Sequence, residues 1–267
     1  MARKKTAFAI ASHPDDIEFL MAGTLVLLKE AGYEIHYMNI ANGSCGTNQY
    51  DTETIIAMRR AESREACEVI GAHFHESLAN DLEVFYTLET LRKLTAVVRD
   101  VKPEIVLTHS PEDYMEDHQN AGRLAVSATF CRGMPNFRVD PARPVTGQDV
   151  CVYHAQPYGN RDPLRRLVEP EIYVDIAETV DAKAEMLCRH RSQKDWLDSS
   201  QGQDSYIITM KELSAEVGRM SGRFEFAEGW RRQAHMGFGP ESFDPLSKAL
   251  KGRAFTNQAY LDSLGSV

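Results

Sequence analysis

Cysteine is scarce. Five thiols (Cys45, Cys67, Cys131, Cys151 and Cys188) are scattered over 267 residues, with an odd total and no Cys-x-x-Cys pair. Such spacing supplies neither a disulfide framework nor a thiolate zinc site, so any metal here must be held by imidazole and carboxylate. Cys67 and Cys188 fall inside helical patterns and read as small core residues. Positive charge is also in deficit: 30 Lys and Arg face 39 Asp and Glu, for a formal charge of −9. A nucleic-acid partner is excluded on that balance, since such binders carry a basic patch or stripe. No apolar run approaches the ~20 residues needed to span a bilayer. The basic start is followed by residues 6–12, an apolar stretch too short for a signal-peptide core. A soluble, cytoplasmic protein with no membrane partner is therefore expected. Gly-x-Gly-x-x-Gly, Gly-x-x-x-x-Gly-Lys-Ser/Thr and Gly-x-Ser-x-Gly are all missing, which removes the dinucleotide, P-loop and serine-hydrolase readings. There is no internal repeat and no low-complexity tract.

What is present is alternation. Residues 6–12 read as a buried strand, 18–31 as a helix stopped by Gly32, and 34–41 as a second strand. Residues 52–71 and 88–101 read as helices, the latter halted before Pro103. Residues 104–109 form the clearest buried strand, 118–130 a helix, and 149–155 and 171–176 two further strands. Helices over 182–191 and 208–220 follow, separated by a polar stretch at 199–205. Strands alternating with helices imply βαβ units. The expected class is α/β, a Rossmann-like three-layer fold with a mostly parallel sheet flanked by helices. A single domain is expected, its core over about residues 6–195. Residues 196–267, without clear periodicity after the last helix, read as a C-terminal extension forming a lid or oligomer contacts.

The chemistry concentrates at two strand ends. His13-Pro14-Asp15-Asp16 directly follows the first strand, and in open α/β sheets ligands bind outside the carboxyl ends of strands. Imidazole nitrogen and carboxylate oxygen suit zinc, and a three-residue separation lets His13 and Asp16 converge across one turn. Asp15 cannot share that direction comfortably, and an unbound carboxylate beside a metal is what an activated water needs as its proton acceptor. The competing reading is a helix cap, with Asp15 or Asp16 bonding free N–H groups. The second cluster, running from His109 through Asp117-His118, also lies past a strand. His118 could complete a His2Asp set with one position open, and Asp117 stands where it could orient a ligand. Gly43-Ser44-Cys45-Gly46 reads as a turn, His73-Phe74-His75 alternates like a strand and, with no carboxylate cluster nearby, reads as surface, and Trp196 and Trp230 carry no metal or nucleotide signal.

Together, His13-Pro14-Asp15-Asp16 with Glu18, and Asp117-His118, resemble the signature of the LmbE-like (PIG-L-type) zinc N-deacetylases. Met58-Arg59-Arg60-Ala61-Glu62, the segment from Lys102 to His109, and Lys183 with His190-Arg191-Ser192-Gln193 resemble further motifs of that family, so the likeness covers roughly residues 6–195. It implies that His13, Asp16 and His118 bind zinc, or another divalent transition metal that the same donors accommodate. It implies Asp15 as general base, Arg59 near a small-molecule substrate, and Glu18 and Asp117 as groups behind the ligands. His190 reads as packing before it reads as part of the site. The implied reaction is removal of an N-acyl group, acetyl in the simplest case, from a small polar substrate such as an N-acetylated amino sugar or its conjugate. A homo-oligomer, trimer or hexamer, is the implied assembly. One position departs from the pattern: Met115 stands where many members carry a histidine that aids the oxyanion or the leaving amine, and a thioether donates no proton. Tyr114 or His109 takes over, Asp15 returns its own proton, or the reaction differs. Two rival readings therefore stay open: a metal-dependent hydratase of an unsaturated carboxylate, and a non-catalytic metal-binding relative.

Overall fold

The computed structural model describes residues 4–194 and 205–265. Trp196, and the polar stretch at 199–205 up to Ser205, lie outside the described residues. In chain order the elements are β1 (Thr6–Ala11), α1 (Asp16–Leu20), α2 (Ala22–Glu30), β2 (Glu34–Asn39), α3 (Thr52–Ile70), β3 (His73–His75), α4 (Leu88–Val101) and β4 (Ile105–Thr108). There follow α5 (Glu116–Cys131), β5 (Cys151–Ala155), β6 (Ile172–Asp175), α6 (Val180–Leu187), α7 (Ser205–Ser221), β7 (Ala227–Arg232), α8 (Pro245–Ala249), β8 (Ala254–Thr256) and α9 (Gln258–Ser263). The strands form one sheet in the order β3-β2-β1-β4-β5-β7-β6-β8. The half from β3 to β5 is parallel, and β7, β6 and β8 add antiparallel strands.

Strand β1 shows why the sheet is covered on both faces. Its side chains alternate Ala7, Ala9, Ala11 on one side and Phe8, Ile10 on the other, and all are buried. The alanine face joins a core with Leu25 and Leu28 of α2; the Phe8/Ile10 face joins Leu94 and Val98 of α4 and Leu124 of α5. A strand buried on both faces and paired in parallel reads as a continuous apolar run. Between β1 and β4 the winding reverses, because β2 and β3 are laid down on one side of β1 and β4 and β5 on the other. Such a reversal leaves a crevice at the carboxyl ends of the two central strands.

The structure departs from the sequence-based expectation at particular places. The helix expected over 18–31 is two helices, hinged at Met21 (φ −135°), and the first begins at Asp16. The amides of Gly23 and Thr24, at the start of α2, donate to the Glu228 carboxylate at 2.9 and 2.7 Å. An anion from β7 thus satisfies the N-terminal groups that a continuous helix would have satisfied internally. His73-Phe74-His75 is the strand that its alternation indicates, at the sheet edge, but a carboxylate, that of Glu34, lies beside it. Cys67 is buried as expected, but Cys188 is exposed, since it is the residue that ends α6. The sheet also continues beyond residue 195: β7 lies between β5 and β6.

Candidate metal centre

The loops leaving β1 and β4 bring the two acid-and-histidine clusters together. His13, Asp16 and His118 each offer a ligand atom, all within 4.8 Å of one another. His13 Nδ1 lies 3.4 Å from Asp16 Oδ2, and His118 Nε2 lies 3.4 Å from Asp16 Oδ1. The opposite ring nitrogens are held by carboxylates: His13 Nε2 is 3.0 Å from Asp117 Oδ2, and His118 Nδ1 is 2.9 Å from Asp113 Oδ1. Asp117 is fixed in turn by the Leu82 amide, which donates to it at 2.6 Å. Carboxylates behind both imidazoles set the tautomer that turns a lone pair toward the shared space. This donor set fits a divalent transition metal. An overlapping group, His109, Asp113 and His118, is the weaker candidate. His109 Nε2 already accepts from the Ser12 amide at 2.9 Å, which occupies its lone pair.

Charge within the cluster is strongly coupled. Burial pulls the His13 imidazole down, but the Asp117 and Asp16 carboxylates outweigh it and raise it to about 10. Burial pushes Asp16 up, yet His118 and His109 beside it hold its carboxyl well below the usual range. Without an ion, then, the pocket draws protons onto its imidazoles to balance the acids.

Asp15 faces elsewhere. Its backbone is left-handed (φ 103°), which a non-glycine residue adopts only when the surroundings hold it. It stands at the start of α1 but makes no side-chain cap, so the capping reading fails for it, while Asp16 Oδ2 accepts from the His13 amide at 2.7 Å. Among the described residues, both side-chain bonds to the Asp15 carboxylate fall on Oδ2: Arg59 Nη2 donates at 3.1 Å and the Tyr206 hydroxyl at 2.6 Å. Burial raises the Asp15 carboxyl above its ordinary value, and the Arg59 charge holds it partly back. Burial and then the Asp15 charge push the Tyr206 phenol well up, so it remains a donor.

Arg59, on α3, is buried. Its guanidinium also donates to the Pro14 carbonyl at 2.5 Å and to Gln193 Oε1 at 2.6 Å. The Gly43-Ser44-Cys45-Gly46 turn wraps it: a Cβ at Gly43 would stand 2.4 Å from Arg59 Cδ, and one at Gly46 would stand 2.1 Å from Nη1. Glu62, one helical turn on, accepts from the amide and hydroxyl of Ser192 at 2.9 and 2.7 Å. The Arg59-x-x-Glu62 and Ser192-Gln193 motifs are thus two halves of one contact. Glu18 is fully buried, 3.0 Å from the Tyr37 hydroxyl and 3.3 Å from His190 Nε2. His190 is also fully buried, as expected for a packed group. Tyr114 is 59% exposed and meets His118 edge-on, with ring centroids 5.6 Å apart; Tyr158 continues the aromatic wall at 5.6 Å from Tyr114.

Sequence reasoning missed two of these groups. Asp113 was visible five residues before His118 but was passed over within a run of acids. Tyr206 carries no local signal, because it reaches Asp15 from 191 residues away.

A Rossmann-like sheet with a His/Asp/His donor set at its reversal point defines the class. Residues 8–129 match the PIG-L family model, described as GlcNAc-PI de-N-acetylase, so over that span the chain is similar to this LmbE-like, PIG-L-type family. It is 29% identical over 237 residues to the diacetylchitobiose deacetylase of Thermococcus kodakarensis, covering 85% of this chain and 82% of that one. It is 27% identical over 188 residues to the 4-oxalmesaconate hydratase of Pseudomonas putida, covering 67% and 70%. The structure of N,N'-diacetylchitobiose deacetylase from Pyrococcus horikoshii superposes with a TM-score of 0.72 at 23% identity, over 89% of this chain and 88% of that one, which establishes the shared fold.

Proposed function

We propose that the protein is a zinc-dependent hydrolase that removes an N-acetyl group from a small polar substrate, an N-acetylated amino sugar or its conjugate. The observation that carries the reading is the division of labour between adjacent residues: Asp16 faces the two imidazoles, whereas Asp15 is held apart by Arg59 and Tyr206. An ion held by His13, Asp16 and His118 would supply Lewis-acid activation of water and of the amide carbonyl. Asp15, with Oδ2 fixed, takes a proton from water at Oδ1 as the water oxygen attacks the carbonyl carbon. The same carboxyl then returns the proton to the nitrogen as the C–N bond breaks, giving acetate and a free amine. This assigns Met115 no proton-transfer role. The exposed rings of Tyr114 and Tyr158 offer apolar faces against which a sugar ring can lie. Deacetylases that act on amino sugars are among the relatives, which supports the substrate class.

A hydratase reading is favoured by one observation, the 27% identical Pseudomonas putida relative. The products separate the two. Zinc-loaded protein is incubated with N-acetylglucosamine, N,N'-diacetylchitobiose and N-acetylglucosaminyl conjugates, with Asp15→Asn as control, and acetate is assayed. Acetate release that falls at least about 1,000-fold in the variant, at unchanged zinc content, is expected. Absence of acetate from every amide, with water added to an unsaturated carboxylate, would replace the deacetylase reading by the hydratase one.

A further inference from the structure

Glu34 and His36 on β2 alternate onto one face of the sheet. In the parallel register His36 pairs with His73 and Met38 with His75, so His73 and His75 share that face on the edge strand β3. Here, at the amino ends of β2 and β3 and away from the centre at the carboxyl ends, four side chains converge. His73 Nε2 lies 3.0 Å from Glu34 Oε1, and His36 Nε2 lies 3.5 Å from the same oxygen. Two donors of a tetrahedral zinc ion with bonds of about 2.1 Å stand roughly 3.4 Å apart. The His36 and His73 rings lie side by side, centroids 4.8 Å apart.

The fourth residue orients the set. His36 Nδ1 is 2.8 Å from His75 Nε2, and one of the two carries the shared hydrogen. With Nδ1–H donating, His36 Nε2 turns a lone pair toward a carboxylate oxygen, an arrangement that a cation between them resolves. With the hydrogen on His75, His36 Nε2–H faces Glu34 at a distance too long for a good hydrogen bond. Burial first, and neighbouring imidazoles after it, hold His36 and His75 down at about 4, so both rings are neutral near pH 7. Lys4 pairs with the other oxygen of Glu34, Oε2. His73 is 56% exposed at its side chain, which gives an ion a route from solvent.

We propose that Glu34, His36 and His73 form a second divalent transition-metal site, with His75 positioning His36. The bound ion ties the edge strand β3 to β2. An N2O donor set of this kind suits zinc and copper over magnesium or calcium. The proposal does not depend on the reaction assigned to the first centre.

The test is cobalt(II) and zinc binding by the full chain, read as equivalents bound and, for cobalt, as visible d–d absorption. The parent protein is expected to bind two zinc equivalents, and His73→Ala and Glu34→Gln each to bind one. A His118→Ala protein, weakened at the first centre, is expected to retain one cobalt equivalent and its absorption band. Adding His73→Ala to that variant should abolish both. His73 is exposed on an edge strand, so its substitution leaves the fold intact, and deacetylase activity in His73→Ala should match the parent. Unchanged stoichiometry in both His73→Ala and Glu34→Gln, or no cobalt bound by folded His118→Ala, overturns the proposal.

Discussion

Asp15 and Asp16 are neighbours with opposite surroundings, and the backbone separates them. The left-handed conformation at Asp15 sends its carboxyl to Arg59 and Tyr206, while Asp16, already helical, stays with the imidazoles. Tyr206 then acts as a positioning residue: its hydroxyl fixes Oδ2 and leaves the second oxygen for the substrate side. A hydrogen bond to a charged group contributes about 1.5–3 kcal/mol. Tyr206→Phe is therefore expected to lower kcat/KM for acetate release by roughly 10- to 100-fold. The loss should appear mainly in kcat, with bound zinc unchanged by elemental analysis. An unaltered kcat would remove Tyr206 from the chemistry and leave it as packing against Phe19, whose ring lies 5.6 Å away.

At the scale of elements, the hinge between α1 and α2 depends on a strand more than two hundred residues later. Glu228 of β7 accepts from Gly23 and Thr24, and Lys183 of α6 donates to it at 2.6 Å, with both charged side chains nearly inaccessible. Removing one partner of such a buried pair leaves the other uncompensated, a cost of about 3–5 kcal/mol. Lys183→Met is expected to lower the urea midpoint accordingly, whereas Lys183→Met with Glu228→Gln recovers part of the loss. Equal destabilisation in the single and double variants would show that the loss does not come from an uncompensated Glu228 charge. The same contact explains what the sequence could disclose. β1 and β4 were legible because they are short apolar runs bounded by polar residues, and β2 because Ile35 and Tyr37 alternate with polar residues. β7 was not: Glu228, Gly229, Arg231 and Arg232 give it neither alternation nor apolar character, and its place in the sheet depends on partners distant in sequence. The site divides in the same way. His13, Asp16 and His118 lie next to strands that could be read, whereas Tyr206 and the Glu34–His36–His73 group exist only once the chain is folded.

The whole molecule is organised around the reversal between β1 and β4, and His154 of β5 closes that region from behind. Its Nδ1–H donates to the His109 carbonyl at 2.7 Å, and its Nε2 lies 2.9 Å from Gln233 Oε1. Burial depresses the His154 imidazole below its ordinary value, and the Arg231 charge adds to the effect. Because the folded value lies below the unfolded one near 6.5, the unfolded chain takes up this proton first as the pH falls. Stability linked to His154 is therefore complete above pH ~6.5 and declines below it, until the folded form titrates as well. His13, His118 and His190 work in the opposite sense in metal-free protein, since carboxylates raise them. Their contribution is common to the parent and a His154 variant and cancels in the comparison. Urea midpoints of metal-free parent and His154→Gln, measured at two pH values on either side of 6.5, isolate the residue. The parent should lose more stability than the variant between the higher and the lower pH. Parallel losses would mean that His154 binds its proton equally well folded and unfolded, and a smaller loss in the parent would mean that its contact with Gln233 is a charged one.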